Sequence, residues 1–254
     1  MQAQPFSYRF DGQTCLVTGA GAGVGEVIAR QFHAAGAKVL VSDMNGESAK
    51  KVAASLDATG QTAAGLALDV RNKSDFEAAR DFLLTHWQQI DIVINNAGRA
   101  KRTPVQDIST EEFDDIVAIN MRSVFLSCQI FSETMKARGS GRIVNVTSLA
   151  GQNGGTVASA HYASAKAGAI MLSKYFAQSL AGTGVTVNAV SPGPIETAKT
   201  RLSPDQIERV ESLVPIHRFA TPEEIAAAVA LLASAQGGFF VGATLDLNGG
   251  LLMR

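Results

Sequence analysis

Short runs of aliphatic and β-branched residues alternate along this chain with longer stretches whose apolar positions recur every three or four residues. The runs at residues 14–18, 38–42, 63–68, 91–94, 142–147, 185–190 and 244–247 read as strands. Helical periodicity occupies 24–35, 47–58, 74–87, 111–137, 159–181 and 222–233, one stretch in each interval between strands. A strand that returns to run beside its predecessor in the same direction needs a crossover, and a helix supplies it. The alternation therefore predicts an α/β fold, a doubly wound parallel sheet with helices on both faces.

Polar punctuation refines these elements. Ser109 with Glu112, and Thr221 with Glu224, have the spacing of reciprocal caps at helix starts, and Pro222 suits a first helical turn. Gly36 and Gly60 suit helix exits. No linker-like stretch or internal repeat divides residues 1–254, which predicts one domain. Residues 192–216 depart from the tight layout. They carry Pro192, Pro194, Pro204 and Pro215, and predict a lid with short helices over the site.

Composition works mainly by exclusion. Of the 254 residues 46% are hydrophobic and 18% charged, enough for a sizeable buried core. The formal net charge of -1 argues against a nucleic-acid or membrane-surface partner, because either needs a basic face. Cys15 and Cys128 fall in apolar runs, so they read as packing residues in a reducing compartment. His33, His86, His161 and His217 are scattered without ligand spacing, and no metal is expected. Residues 1–11 lack the apolar segment of a signal peptide, and no run is long enough to span a bilayer. The expected location is cytoplasmic.

The chemistry begins at residues 18–25, Thr-Gly-Ala-Gly-Ala-Gly-Val-Gly, which follow the first strand and open the first helix. Glycine permits positive φ and lets the backbone approach a pyrophosphate, while the helix N-terminus offers free N–H groups and a partial positive charge. Gly19, Gly23, Val24 and Gly25 are thus expected to contact a dinucleotide. Asp43 ends the second strand, about 20 residues on, where a carboxylate can accept from the adenosine ribose hydroxyls and would repel a 2′-phosphate. No Arg or Lys stands in the glycine loop or directly after Asp43, so NAD is expected. Asp69, ending the third strand with Val70 beside it, is expected at the adenine edge.

Taken in order, these and later residues closely resemble the short-chain dehydrogenase/reductase family over nearly the whole chain. Thr18-Gly19, Gly23 and Gly25 match its cofactor loop, Asn95-Asn96-Ala97-Gly98 its fourth-strand motif, and Asn120 its helix asparagine. Ser148 follows Val144-Asn145-Val146-Thr147, Tyr162-Ala163-Ser164-Ala165-Lys166 matches the Tyr-x-x-x-Lys motif, and Pro192-Gly193-Pro194-Ile195-Glu196-Thr197 matches the segment after the sixth strand. The resemblance implies a seven-stranded Rossmann-type sheet and NAD(P)-dependent carbonyl or alcohol chemistry. It adds Asn96, Ala97, Gly98, Tyr162, Lys166, Pro192, Gly193, Ile195 and Thr197 to the expected cofactor contacts.

Tyr162 and Lys166 stand four apart and share a helix face. A free tyrosine titrates near pH 10. To carry a proton near neutrality it must be stabilised as phenolate by about 4 kcal/mol, and a neighbouring ammonium acts in that sense. Ser148 is expected to hold the substrate oxygen. Its separation from Tyr162 is one residue longer than the family's, which makes Thr147 a rival. By resemblance, Asn120 kinks its helix and holds a water leading from Lys166. These residues predict an oxidoreductase that moves a hydride between NAD(H) and a small-molecule secondary alcohol or ketone, with Tyr162 as general acid/base. The alternatives are an NADPH-dependent 3-ketoacyl thioester reductase and a catalytically idle dinucleotide sensor.

The substrate is expected at residues 151–161, at 196–209 and at Arg99. Arg99, Lys101 and Arg102 read as a solvated basic loop, with an anionic substrate as the competing reading. Apolar residues run round more than one face of 111–137 and of 159–181. That predicts a two-fold four-helix pairing, with Leu251-Leu252-Met253 at a second interface of a homotetramer.

Overall fold

The computed structural model describes residues 8–154 and 158–253; the expectations for residues 1–7, and for 155–157 within the substrate loop, lie outside the described residues. Seven strands form one parallel sheet: β1 Thr14–Thr18, β2 Lys38–Asp43, β3 Ala63–Ala67, β4 Ile92–Asn95, β5 Gly141–Val146, β6 Val185–Pro192 and β7 Thr244–Leu247. Their order is β3-β2-β1-β4-β5-β6-β7. Every residue of β1, β4 and β6 is buried, as a sheet covered on both faces requires.

Neighbouring residues along a strand point to opposite faces. Val17, Val39 and Ile94 meet Ile28 and Phe32 of α1 (Gly23–Ala34) and Val229 of α9 (Pro222–Ala233) on one side. Leu16, Leu40 and Val93 meet Phe76 of α3 (Lys73–His86), Phe131 of α5 (Ser123–Arg138) and Ala169 of α7 (Ala160–Ser179) on the other. The remaining helices are α2 Gly46–Leu56, α4 Thr110–Val117, α6 Ala150–Asn153 and α8 Pro204–Leu213. The chain runs outward from β1 through β2 to β3, then returns to place β4 on the other flank of β1. In such a sheet the crevice at the carboxyl ends of the strands, where the winding reverses, is where ligands bind.

Local chemistry departs from the sequence pattern at several points. The expected single helix over 111–137 is interrupted by a π-helical turn, Ala118–Arg122, between α4 and α5. Asn120 sits in that turn and donates through Nδ2 to the carbonyls of Ile116 (3.0 Å) and Arg99 (2.9 Å), drawing one helical carbonyl away from the regular ladder. Thr221 and Glu224 form the expected reciprocal cap on α9, and Ser203 with Gln206 forms an unforeseen one on α8. Ser109 caps α4 in one direction only, because the Glu112 carboxylate is held elsewhere. Gly36 leaves α1 at φ 97°, whereas Gly60 lies in the turn beyond α2, which ends at Leu56. Cys15 and Cys128 are buried and unpaired, and burial pushes both thiols up, that of Cys128 to about 12. Among the described residues no helix is long and apolar enough to cross a membrane.

Candidate active site

A cavity of about 730 Å³ opens at the carboxyl ends of the strands. It is lined by each residue expected at the cofactor: Gly19, Gly23, Val24, Gly25, Asp43, Asp69, Val70, Asn96, Ala97, Gly98, Tyr162, Lys166, Pro192, Gly193, Ile195 and Thr197. The glycine turn is shaped by what it lacks. A Cβ on Gly25 would overlap the carbonyl oxygen of Gly19 and stand 2.6 Å from Asn96 Nδ2, and one on Gly19, at φ 63°, would stand 2.8 Å from Ala97 Cα.

The chain holds this turn open with its own polar groups. Thr18 Oγ1 accepts from the N–H groups of Asn96 and Ala97, each at 3.1 Å. Asn96 Nδ2 donates to the carbonyls of Thr18 (2.9 Å) and Gly19 (3.1 Å). Asp43 accepts from the N–H of Gly21 (3.1 Å) and of Asn45 (2.9 Å). No side chain caps α1, so its first N–H groups have no side-chain acceptor at Ala22. A pyrophosphate fits that set of donors.

Asp69 differs from its expected role at the adenine edge. Arg71 grips its carboxylate, Nε standing 3.0 Å from both oxygens and Nη2 2.5 Å from one, which holds Asp69 below the usual carboxylate range. Arg71 continues to Asp115 of α4 at 2.9 Å, and Asp115 also pairs with Arg99. A turn at residues 69–72, closed by the Asn72 N–H on the Asp69 carbonyl (2.9 Å), folds the arginine back.

Tyr162 and Lys166 lie one turn apart on α7. Lys166 Nζ stands 5.8 Å from the Tyr162 ring centre and donates to the Val146 carbonyl at 2.9 Å. Ser148, just past β5, hydrogen-bonds Tyr162, and its Oγ accepts from the Ala150 N–H at 3.2 Å. The rival hydroxyl, Thr147 Oγ1, donates to the Val190 carbonyl at 2.8 Å and ties β5 to β6.

The expected lowering of the tyrosine by its lysine is not what the protein alone produces. Burial pushes Tyr162 above its ordinary value and the Ser148 hydrogen bond offsets part of that, while burial drives Lys166 down to about 8. Both groups lie away from water, so each charged form is penalised. Asn120 clasps the backbone of Arg99, its Oδ1 accepting from the N–H at 3.3 Å. Gly98 lies between the two functional side chains: a Cβ there would stand 2.9 Å from Asn120 Oδ1 and 3.3 Å from Lys166 Nζ. Asn95 is tied into the sheet, donating to Asn145 Oδ1 at 2.8 Å.

A second network was not visible in the sequence. His161 is fully buried, and its Nδ1 accepts from the Tyr162 N–H at 3.0 Å. The neutral ring therefore carries its proton on Nε2, which lies 3.0 Å from Glu112 Oε1. Glu112 also accepts from Thr103 Oγ1 and Lys101 Nζ, each at 2.6 Å, and these donors hold its carboxyl down at about 2. Its place at the start of a helix marks Glu112 as a capping residue and gives no sign of the long-range partners.

A smaller cavity of about 260 Å³ adjoins the first, and Ser148 and Tyr162 line both. Its other walls include Leu149, Leu202, Val210, Leu213 and Phe219. Arg99 does not reach it: that side chain lines the larger cavity and is paired with Asp115, which corrects the substrate role expected of it. Leu251 turns into the smaller cavity, so this part of the apolar tail packs on its own chain instead of facing outward as expected; Met253 remains exposed.

A family model described as enoyl-(acyl carrier protein) reductase matches residues 19–252. The chain belongs to the short-chain dehydrogenase/reductase family. It is similar to the 3-oxoacyl-[acyl-carrier-protein] reductase FabG of Salmonella typhimurium, at 38% identity over 245 residues, 96% of this chain and 99% of that one. D-threitol dehydrogenase of Mycolicibacterium smegmatis is 36% identical over 254 residues, 98% of this chain and 96% of that one. Among solved structures, a short-chain dehydrogenase/reductase, glucose/ribitol dehydrogenase, from Brucella melitensis superposes with a TM-score of 0.88 at 29% identity, covering 98% of this chain and 100% of that one. This short-chain dehydrogenase/reductase is thus an oxidoreductase that uses a nicotinamide dinucleotide.

Proposed function

We propose that this enzyme interconverts a secondary alcohol and a ketone with NAD(H). The observation that carries the reading is the Ser148–Tyr162 hydroxyl pair at the junction of the two cavities, where the larger suits a dinucleotide and the smaller a substrate. Bound in the larger cavity, the nicotinamide supplies or accepts the hydride. Tyr162 Oη gives a proton to the substrate oxygen, or takes one from it in reverse. Ser148 donates to the same oxygen and fixes it against Tyr162. Lys166, partly cationic near its pKa of about 8, favours the phenolate and offsets the cost of burying it. Asn120 orients the backbone beside Lys166 by clasping Arg99.

NAD preference rests on Asp43, which contacts the glycine turn and has no ion-pair partner among the described residues. A 2′-phosphate facing that carboxylate costs a few kcal/mol. Comparing kcat/KM for NADH and NADPH, on a panel of ketones, polyols and acetoacetyl-CoA, tests both parts. A clear NADH advantage is expected, and parity or an NADPH advantage overturns the cofactor reading. The similarity to a 3-oxoacyl-thioester reductase keeps thioester reduction as a second reading, which acetoacetyl-CoA turnover decides. Turnover of any panel member removes the idle-sensor reading.

We further propose that residues 192–216, with α8, act as the lid of a one-domain enzyme that assembles as a homotetramer. Phe113, Phe125, Met171 and Tyr175, on α4, α5 and α7, are 40–66% exposed, an apolar surface suited to a two-fold partner. Sedimentation at micromolar protein tests it: a species near the 26.6 kDa chain mass refutes assembly, and a stable dimer refutes only the second interface.

A further inference from the structure

We propose that the substrate carries an oxyanion, a carboxylate or a phosphate, at the end remote from its reacting carbon, and that Arg102 receives it. The proposal rests on the alcohol/ketone reading of the Ser148–Tyr162 site. Its ground is the charge of the smaller cavity, whose lining includes two cations, Lys101 and Arg102, and no Asp or Glu. The Lys101 charge is matched by Glu112 at 2.6 Å. Arg102 makes no ion pair and no side-chain hydrogen bond among the described residues, so one positive charge stands uncompensated beside apolar walls.

The backbone that carries Arg102 is fixed on both sides. Ser159 Oγ donates to the Lys101 carbonyl at 2.8 Å and accepts from the Thr103 N–H at 2.7 Å. The Lys101 and Thr103 side chains both end on Glu112, Glu112 on His161, and His161 on the Tyr162 N–H. This frame locks the loop to the helix that carries the proton donor. The reach from Tyr162 to the anchor point of Arg102 is thereby set by the fold, as it must be where a residue measures a substrate's length. A guanidinium forks onto carboxylate or phosphate with two parallel hydrogen bonds. Leu149, Leu202 and Leu213 leave the span between the two ends apolar, which calls for an aliphatic middle.

Three pairs of measurements test this on the intact enzyme with NADH. The probes are 4-oxopentanoate against its methyl ester, and the phosphate monoester of 4-hydroxybutan-2-one against the free hydroxyketone. Both kcat/KM and calorimetric binding to the NADH-loaded protein are read for wild type, R102Q and R102K, each variant first shown to melt like wild type. At least one charged probe should surpass its neutral partner by about tenfold or more, mainly through KM, as expected of a hydrogen bond to a charged group. R102Q should abolish that ratio and R102K should restore part of it. The better arm identifies carboxylate or phosphate. A wild type that treats charged and neutral probes alike, or an R102Q variant that keeps the preference, overturns the proposal even if ketones turn over. Tighter binding of a charged probe that depends on Arg102, with no probe turned over, leaves the anion site standing and instead removes the alcohol/ketone reading.

Discussion

The two walls of the cleft are built differently. The wall at residues 19–25 is main chain, shaped by absent side chains and held by Thr18, Asn96 and Asp43. The wall under α8 is side chain: Leu202, Val210, Leu213 and Phe219, brought in by a segment whose capping box is local. A backbone wall tolerates almost no change, because one added Cβ meets fixed atoms. A side-chain wall can be re-cut residue by residue without disturbing the sheet. That division suits a family whose members share a cofactor and differ in what they reduce or oxidise.

The hydroxyl shared by both walls should give the largest effect. Tyr162→Phe is expected to cut kcat by more than about 100-fold while the NADH dissociation constant moves only a few-fold. A variant that retains a tenth of the rate would remove Tyr162 from its role. Next comes the backbone wall. Gly25→Ala is expected to weaken NADH binding by tenfold or more, since its methyl meets the Gly19 carbonyl and Asn96, an overpacking penalty of roughly 1–3 kcal/mol. Leu202→Ala, cut from the other wall, should leave NADH binding alone and raise the substrate KM a few-fold. If the two substitutions exchange these signatures in fluorescence titration and steady-state kinetics, the contrast between the walls is wrong. Asp43→Ser should bring the NADH/NADPH ratio of kcat/KM down by about tenfold.

The smallest effect concerns stability at the seam. Lys166 has a pKa of about 8 in the fold against 10.5 in the unfolded chain, so burial disfavours its charged form by about 3 kcal/mol. Below pH 8 the wild type bears that cost in full. Between pH 8 and 10.5 the unfolded chain binds more protons than the native one, and native stability rises with pH. Lys166→Met, though inactive, should therefore melt a few degrees above wild type at pH 7, with the gap closing towards pH 10. A gap that widens with pH would contradict the assignment of the cost to the buried ammonium.

Much of the fold was legible because its signals are local. Strand periods placed all seven strands within about two residues, and the glycine turn announced itself by spacing. Asn120 marked a distortion in its helix, although the π-helical form of that turn came only from the structure. The missed contacts join residues far apart in sequence. Arg71 meets Asp115 across 44 positions and His161 meets Glu112 across 49. No period or cap encodes such pairs, since tertiary packing decides which acid an arginine or histidine reaches. The same limit applies to Arg99, whose charge was visible in the sequence and whose partner on α4 was not.

The π-helical turn at Ala118–Arg122 also constrains how this chain can change length. Such a turn accommodates one residue more than the regular helix would. Deleting Ala118 would restore an ordinary register and rotate all of α5 by about 100° about its axis. Val124, Cys128, Phe131 and Met135, now buried, would swing away from the sheet, and Asn120 would lose its grip on Arg99. Point substitutions at this helix can be absorbed singly, but a one-codon deletion here cannot. In this lineage the helix length is therefore inherited as a fixed character.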